Sequence, residues 1–329
     1  MDGSRRRNVP ESREGLMRTY LDCIPCFFKQ ALEQGRLFTG NELVHKEILD
    51  EVATLIPKFS MGLTPPEMAR EMHRLFGKRF AGKDLYKKIK EQSNRQALMI
   101  YPKLKEQVAR SADRLLTAVE LAIAGNIIDY AAKNTFHIED EIQKILSGDF
   151  SSGRNTVFHY PEFKAALDAA DCILYLADNA GEIVFDRVLL EEFSEEKEII
   201  FAVRDKPAIN DALREDAVFC EIDKVARVIS SGVDAPGTIL KYCSDEFLKI
   251  FDRADLIISK GQGNYEALSE VNAKIYFLFK VKCPVIARHS KAALGDIVLL
   301  PSMFGGPSAA GTANFAGCLA PEISPRILK

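Results

Sequence analysis

The stretch Cys172-Ile173-Leu174-Tyr175-Leu176-Ala177-Asp178-Asn179-Ala180-Gly181-Glu182 decides the fold. Its first six residues are apolar without interruption and of strand length, which marks a strand covered on both faces. The Asp-Asn-Ala-Gly that follows is a turn, and a stretch of helix length begins near Ile183. The same alternation recurs along the second half of the chain. Residues 199–203, 225–230, 256–259, 275–279 and 285–286 are further apolar runs of strand length, with helical stretches between them. Strands alternating with helices build a mainly parallel sheet with helices on both faces. Ligands of such sheets bind outside the carboxyl ends of the strands, so the loops leaving those ends are where chemistry is sought.

Toward the N-terminus the period changes. Residues 20–146 carry apolar side chains at three- and four-residue spacing, the pattern of an all-helical domain. Thr64-Pro65-Pro66-Glu67 starts one helix and Phe76-Gly77 is expected to close it. Residues 84–133 are expected to form two helices broken near Tyr101-Pro102. The expected organisation is a disordered tail over 1–16, a helical domain over 17–150 and an α/β metal-binding catalytic domain over 151–329. The Ser- and Gly-rich residues 147–155 are the join.

Composition narrows the function. With 44 Lys plus Arg against 47 Asp plus Glu in 329 residues, the net charge of −3 gives no field that would gather nucleic acid or an anionic membrane. No apolar run approaches the roughly 20 residues of a membrane helix. Seven scattered cysteines, an odd number, do not form an extracellular disulfide framework, and a reducing cytoplasm is the expected compartment.

Three loops offer chemistry at strand ends. Asp178 and Asn179 set two hard oxygen donors side by side, with Gly181 allowing close backbone approach and Glu182 opening a helix; the plainer reading is an Asx turn that caps that helix. After the strand at 199–203 come Arg204, Lys206 and the pair Asn210-Asp211. Two carboxylate-bearing loops on successive strands outline a magnesium- or manganese-type site, with Arg204 as an anion clamp. The third loop, Lys260-Gly261-Gln262-Gly263-Asn264-Tyr265-Glu266, is neither a Walker A motif nor a dinucleotide fingerprint. Lys260, the amides of Gly261 and Gly263, and Asn264 can hold one phosphoryl group, or the glycines can serve only as a turn. Asn126 and Asp129 share one face of an apolar helix and either reach the site or bond to the sheet half. Lys282 ends another strand.

Cys23-Ile24-Pro25-Cys26 is a single C-x-x-C. It reads three ways: a redox pair, half of a metal site completed by Cys283, or two buried helix residues. The five histidines show no ligand spacing, and no serine lies in a G-x-S-x-G context.

In this order, Leu21-Asp22-Cys23-Ile24-Pro25-Cys26-Phe27, Ala124-Gly125-Asn126-Ile127-Ile128-Asp129, Asp178-Asn179-Ala180-Gly181-Glu182, Ile209-Asn210-Asp211 and residues 260–266 resemble the damage-control phosphatase family, formerly domain of unknown function 89. The cysteine pair is similar to that of its prokaryotic stand-alone subgroup. The resemblance implies a three-layer α/β/α fold carrying a helical domain. It also implies hydrolysis of phosphate monoesters of small metabolites, dependent on manganese, nickel, cobalt or magnesium. On the matching positions Asp178, Asn179 and Asp211 bind the metal and Lys282 contacts substrate phosphate. Two other readings stand beside it: a carboxyl methyltransferase using S-adenosylmethionine, for which no glycine-rich site is evident, and a non-catalytic metal- or nucleotide-binding module.

Overall fold

The protein is described by a computed structural model over residues 17–80, 82–125 and 154–302. The tail at 1–16, Asn126, Asp129 and the boundary near residue 150 therefore lie outside the described residues.

Among the described residues the centre is a seven-stranded sheet in the order β1-β7-β6-β5-β2-β3-β4. The strands are β1 (Arg154–Phe158), β2 (Cys172–Leu176), β3 (Glu198–Val203), β4 (Arg227–Ser230), β5 (Leu256–Lys260), β6 (Ile275–Lys280) and β7 (Ile297–Pro301). All neighbours are parallel except β6 and β7. Side chains alternate between two cores, as a doubly covered sheet requires. Ile173, Tyr175, Phe201, Val203, Leu256 and Ile258 face one core, and Leu174, Leu176, Ile200, Ala202 and Ile257 face the other.

The first core is closed by α4 (Lys87–Arg110), α5 (Arg114–Ala124), α6 (Tyr160–Asp168), α7 (Glu182–Leu190) and α8 (Arg214–Phe219). The second is closed by α9 (Asp245–Arg253), α10 (Gln262–Leu268) and α11 (Pro284–Ser290). This is the expected three-layer α/β/α arrangement. The helices α1 (Cys23–Phe38), α2 (Glu42–Leu55) and α3 (Pro65–Arg79) enclose a core of their own built on Phe27, Ile48, Met68, Met72 and Phe76.

Three local expectations are corrected. Pro102 does not break its helix: α4 runs through it to Arg110. The lost backbone bond is outweighed by a buried stripe of Ala97, Ile100, Leu104 and Val108. The break falls instead at Asp113, whose side chain accepts from the Leu116 N–H at 3.0 Å and caps α5. The helix α3 passes Gly77, and the glycine that turns left-handed is Gly82, with φ +70°, whose N–H donates to the Gly77 carbonyl. Residues 285–286 belong to α11, entered through Pro284, and the remaining strands are β1 and β7.

The chain leaves β2 for β3 and β4 on one side and returns to β5 and β6 on the other. The reversal puts the carboxyl ends of β2 and β5 at a topological switch point, where open α/β sheets bind ligands.

Candidate functional site

Asp178 and Asn179 leave β2, and Asp211 belongs to the loop after β3. The two loops are tied by backbone. Asn179 and Asp211 form an antiparallel bridge, the Ala212 N–H donates to the Asp178 carbonyl at 2.8 Å, and the Ala180 N–H donates to the Asn210 carbonyl at 2.9 Å. Ile209, just before them, is a β-branched residue at φ +52°, a strained backbone of the sort found at sites. Asp178 also abuts the end of β5. A Cβ on Gly261 would sit 2.0 Å from Asp178 Oδ2, so only glycine leaves room for that carboxylate.

Each acid is oriented by a neighbour. The Asn179 Nδ2 donates to Asp178 Oδ2 at 2.8 Å and to Glu182 Oε2 at 3.1 Å. Arg204 Nε donates to Asp211 Oδ2 at 2.6 Å. Burial drives the Asp178 carboxyl well above the ordinary carboxylate range, and the nearby Glu182 and Asp211 add to it, against Lys282 and Arg204.

Several expected substrate contacts turn inward, and these are corrections. Lys260 is the last residue of β5, on the same face as Leu256 and Ile258, and is fully buried. Its ammonium donates to the Ala122 carbonyl at 2.8 Å, to Glu182 Oε1 at 2.7 Å and to Asp186 Oδ1 at 2.5 Å. All three protons are used, so Lys260 is an interior cation and not a phosphate clamp. Burial alone would lower the Lys260 ammonium, but Asp186 and Glu182 hold it above its usual value. Burial pushes Asp186 up to about 6 against the pull of Lys260, and the charge of Glu182 adds to the rise. Glu182 thus serves the interior as well as Asn179.

Arg204 is also not an exposed clamp. Besides Asp211 it donates to Thr238 Oγ1 at 2.8 Å and to Asn264 Oδ1 at 2.9 Å. Asn264, fully buried, gives its amide protons to the Ala177 and Lys260 carbonyls at 3.1 and 2.8 Å. It therefore joins the ends of β2, β3 and β5 and has no donor left for a phosphate. Gly263 is in α10; a Cβ there would meet the Pro236 carbonyl at 2.5 Å, so the second glycine allows close backbone packing.

Lys282, after β6, is the cation that does face outward. It is exposed, its backbone N–H donates to Gln262 Oε1 at 3.1 Å, and it acts on Asp178.

A positioning residue was missed. Asn94 of α4 accepts at Oδ1 from the Gly181 N–H at 2.6 Å and donates from Nδ2 to Asp216 Oδ1 at 2.8 Å. Asp216 in turn accepts from the Leu213 N–H at 2.9 Å, so one side chain spans both carboxylate loops. The signal was present in the sequence: Lys90 and Asn94 stand on the same helical stripe as Ala97 and Leu104, where a polar group needs a partner.

Cys23 and Cys26, in the first turn of α1, lie near Cys283 and Glu266. Burial pushes the Cys23 thiol up to about 11; the Tyr20 backbone opposes this while Glu266, Cys283 and Cys26 add to it. Such thiols are protonated at neutral pH and poor nucleophiles. No described cysteine is in a disulfide.

Among the described residues no three His, Cys, Asp or Glu side chains form a ready ligand cage, at the thiols or elsewhere. The donor chemistry at the switch point still fits a hard divalent ion as an open set. Two carboxylates, Asp178 and Asp211, and the amide of Asn179 are held together by bridged loops, with a glycine cradle behind them.

Residues 19–298 match the damage-control phosphatase ARMT1-like domain. The chain belongs to that family. It is 33% identical over 297 residues to a damage-control phosphatase of Pyrococcus horikoshii, covering 88% of this chain and 99% of that one. It is 33% identical over 282 residues to a damage-control phosphatase of Archaeoglobus fulgidus, 84% and 96% of the two chains. An uncharacterized protein of Methanocaldococcus jannaschii is 37% identical over 292 residues, 85% and 94%. The crystal structure of a DUF89 family protein from Pyrococcus horikoshii superposes with a TM-score of 0.75 at 31% identity, covering 87% of this chain and 99% of that one. The fold and the helical N-terminal region are those of the damage-control phosphatase family. No described helix is long and apolar enough to cross a membrane.

Proposed function

We propose that the protein is a divalent-metal-dependent phosphatase acting on phosphate monoesters of small metabolites, with its centre at Asp178, Asn179 and Asp211. The observation that carries this reading is the bridge between Asn179 and Asp211, which joins two carboxylate-bearing strand ends at the switch point. The names of the two archaeal phosphatases support the reaction class.

When bound, a manganese, nickel, cobalt or magnesium ion supplies Lewis acidity toward a phosphoryl oxygen and toward water. The chain does the rest by positioning and charge. Arg204 fixes the orientation of Asp211, and Asn179 that of Asp178. Asn94 holds the Gly181 amide and keeps the first loop in register with the second. Lys282, exposed after β6, neutralises phosphoryl charge from that side. Asp178 or Asp211 takes the proton of an attacking water, or Asp178 is itself the nucleophile. A methyltransferase gains no support, since the strand-end loops gather carboxylates and cations and not a glycine-rich cofactor cradle.

Phosphate release from a panel of sugar phosphates and phosphorylated cofactors, after chelation and with each of the four ions restored singly, tests the proposal. We expect activity only with an ion present. Equal turnover after chelation, or none with any ion and ester, would count against it.

A further inference from the structure

Lys282 stands where the strand ladder has run out. β6 ends at Lys280, the Val281 N–H donates to the Asp296 carbonyl at 2.9 Å, and α11 begins at Pro284. Between them the Lys282 N–H donates to a side chain, Gln262 Oε1, at 3.1 Å. A lysine ammonium swings on a flexible four-carbon stem, so the anchor of its backbone sets the region that the charge can reach.

Gln262 is itself held. It is half-buried at the start of α10, and its Nε2 donates to Glu266 Oε1, one turn further on, at 3.0 Å and lies 3.6 Å from Cys283 Sγ. Reversing the amide would set its NH2 group against the Lys282 N–H, donor against donor, so its orientation is fixed. The residue before it is Gly261, which leaves room for the Asp178 carboxylate and whose N–H donates to the Leu278 carbonyl of β6 at 3.0 Å. Two consecutive residues at the end of β5 therefore abut the carboxylate centre and grip the lysine. The span from Asp178 to the Lys282 backbone passes through one glycine and one amide side chain, with no free loop between them.

We propose that Gln262 is a positioning residue: it holds the Lys282 backbone at the distance from Asp178 that lets the ammonium and the carboxylate centre engage one phosphoryl group together. This role rests on the phosphatase reading for what Lys282 and Asp178 do. Gln262 acts on the substrate only through Lys282.

The test is a double-mutant cycle. Gln262→Met keeps the length of the side chain and removes both polar ends; for the best ester of the panel it should raise KM about tenfold, with kcat moved less. In a Lys282→Ala background the same substitution should change KM by less than about twofold, since no ammonium is left to misplace. A wild-type KM in Gln262→Met overturns the assignment, and so does a rise that persists undiminished in the Lys282→Ala background, the result that a packing role alone predicts. Gln262→Leu serves if Gln262→Met does not fold. If wild-type protein releases no phosphate from any ester, the phosphatase reading falls, and calorimetry with inorganic phosphate on manganese-loaded protein runs the same cycle. Phosphate affinity lowered about tenfold by Gln262→Met in the wild-type background, and unchanged by it in Lys282→Ala, upholds the anchoring there. Equal affinity in wild type and Gln262→Met, or no phosphate binding, overturns it.

Discussion

Asp178→Ala is expected to lower kcat for phosphate release on the order of 10³-fold, about 4 kcal/mol of transition-state stabilisation, with the fold intact. The carboxylate lies at the switch point against Gly261, where a Cβ would come within 2.0 Å of its oxygen. Its removal also relieves the repulsion from Glu182 and Asp211. Stability should therefore hold or rise while activity collapses, a combination that separates a functional carboxylate from a helix cap, whose loss would cost about 1 kcal/mol. Steady-state kinetics beside a thermal melt read both quantities. A fall in melting temperature with activity retained would return Asp178 to a capping role.

The second large effect is on stability. Lys260→Met should destabilise the protein by roughly 3–5 kcal/mol, because it leaves Glu182 and Asp186 buried without their cation. For a chain of this size the thermal midpoint should drop on the order of 10 °C. Adding Asp186→Asn should restore part of the loss, since it removes the carboxylate nearest the missing ammonium and leaves the amide to meet Tyr175, whose hydroxyl now donates to Asp186 at 2.8 Å. A phosphate-clamping Lys260 predicts the reverse: an unchanged melt and a raised KM.

Lys260 also shows how far the sequence could be read. Its strand was evident from Leu256-Ile257-Ile258, and strict alternation puts Lys260 on the face of Leu256 and Ile258, toward α5 and α7. Ending the strand one residue early moved it into the loop and made it a ligand. The carboxylate loops were legible because an apolar strand followed by Asp-Asn or Asn-Asp fixes both the strand end and the donors. The roles of Arg204 and Asn264 were not, since both depend on Thr238 and on contacts between β2, β3 and β5 that no local pattern encodes. Pro102 illustrates the same limit: the proline rule is local, and the buried stripe that overrides it is tertiary.

Manganese binding, followed by the electron paramagnetic resonance of the free ion, tests the central claim without reference to any substrate. Wild-type protein should take up manganese at a site whose affinity falls at least tenfold in both Asp178→Ala and Asp211→Ala, as the loss of one of two carboxylate ligands requires. Wild-type affinity in both variants would place the ion elsewhere and contradict the assignment of the centre to the ends of β2 and β3.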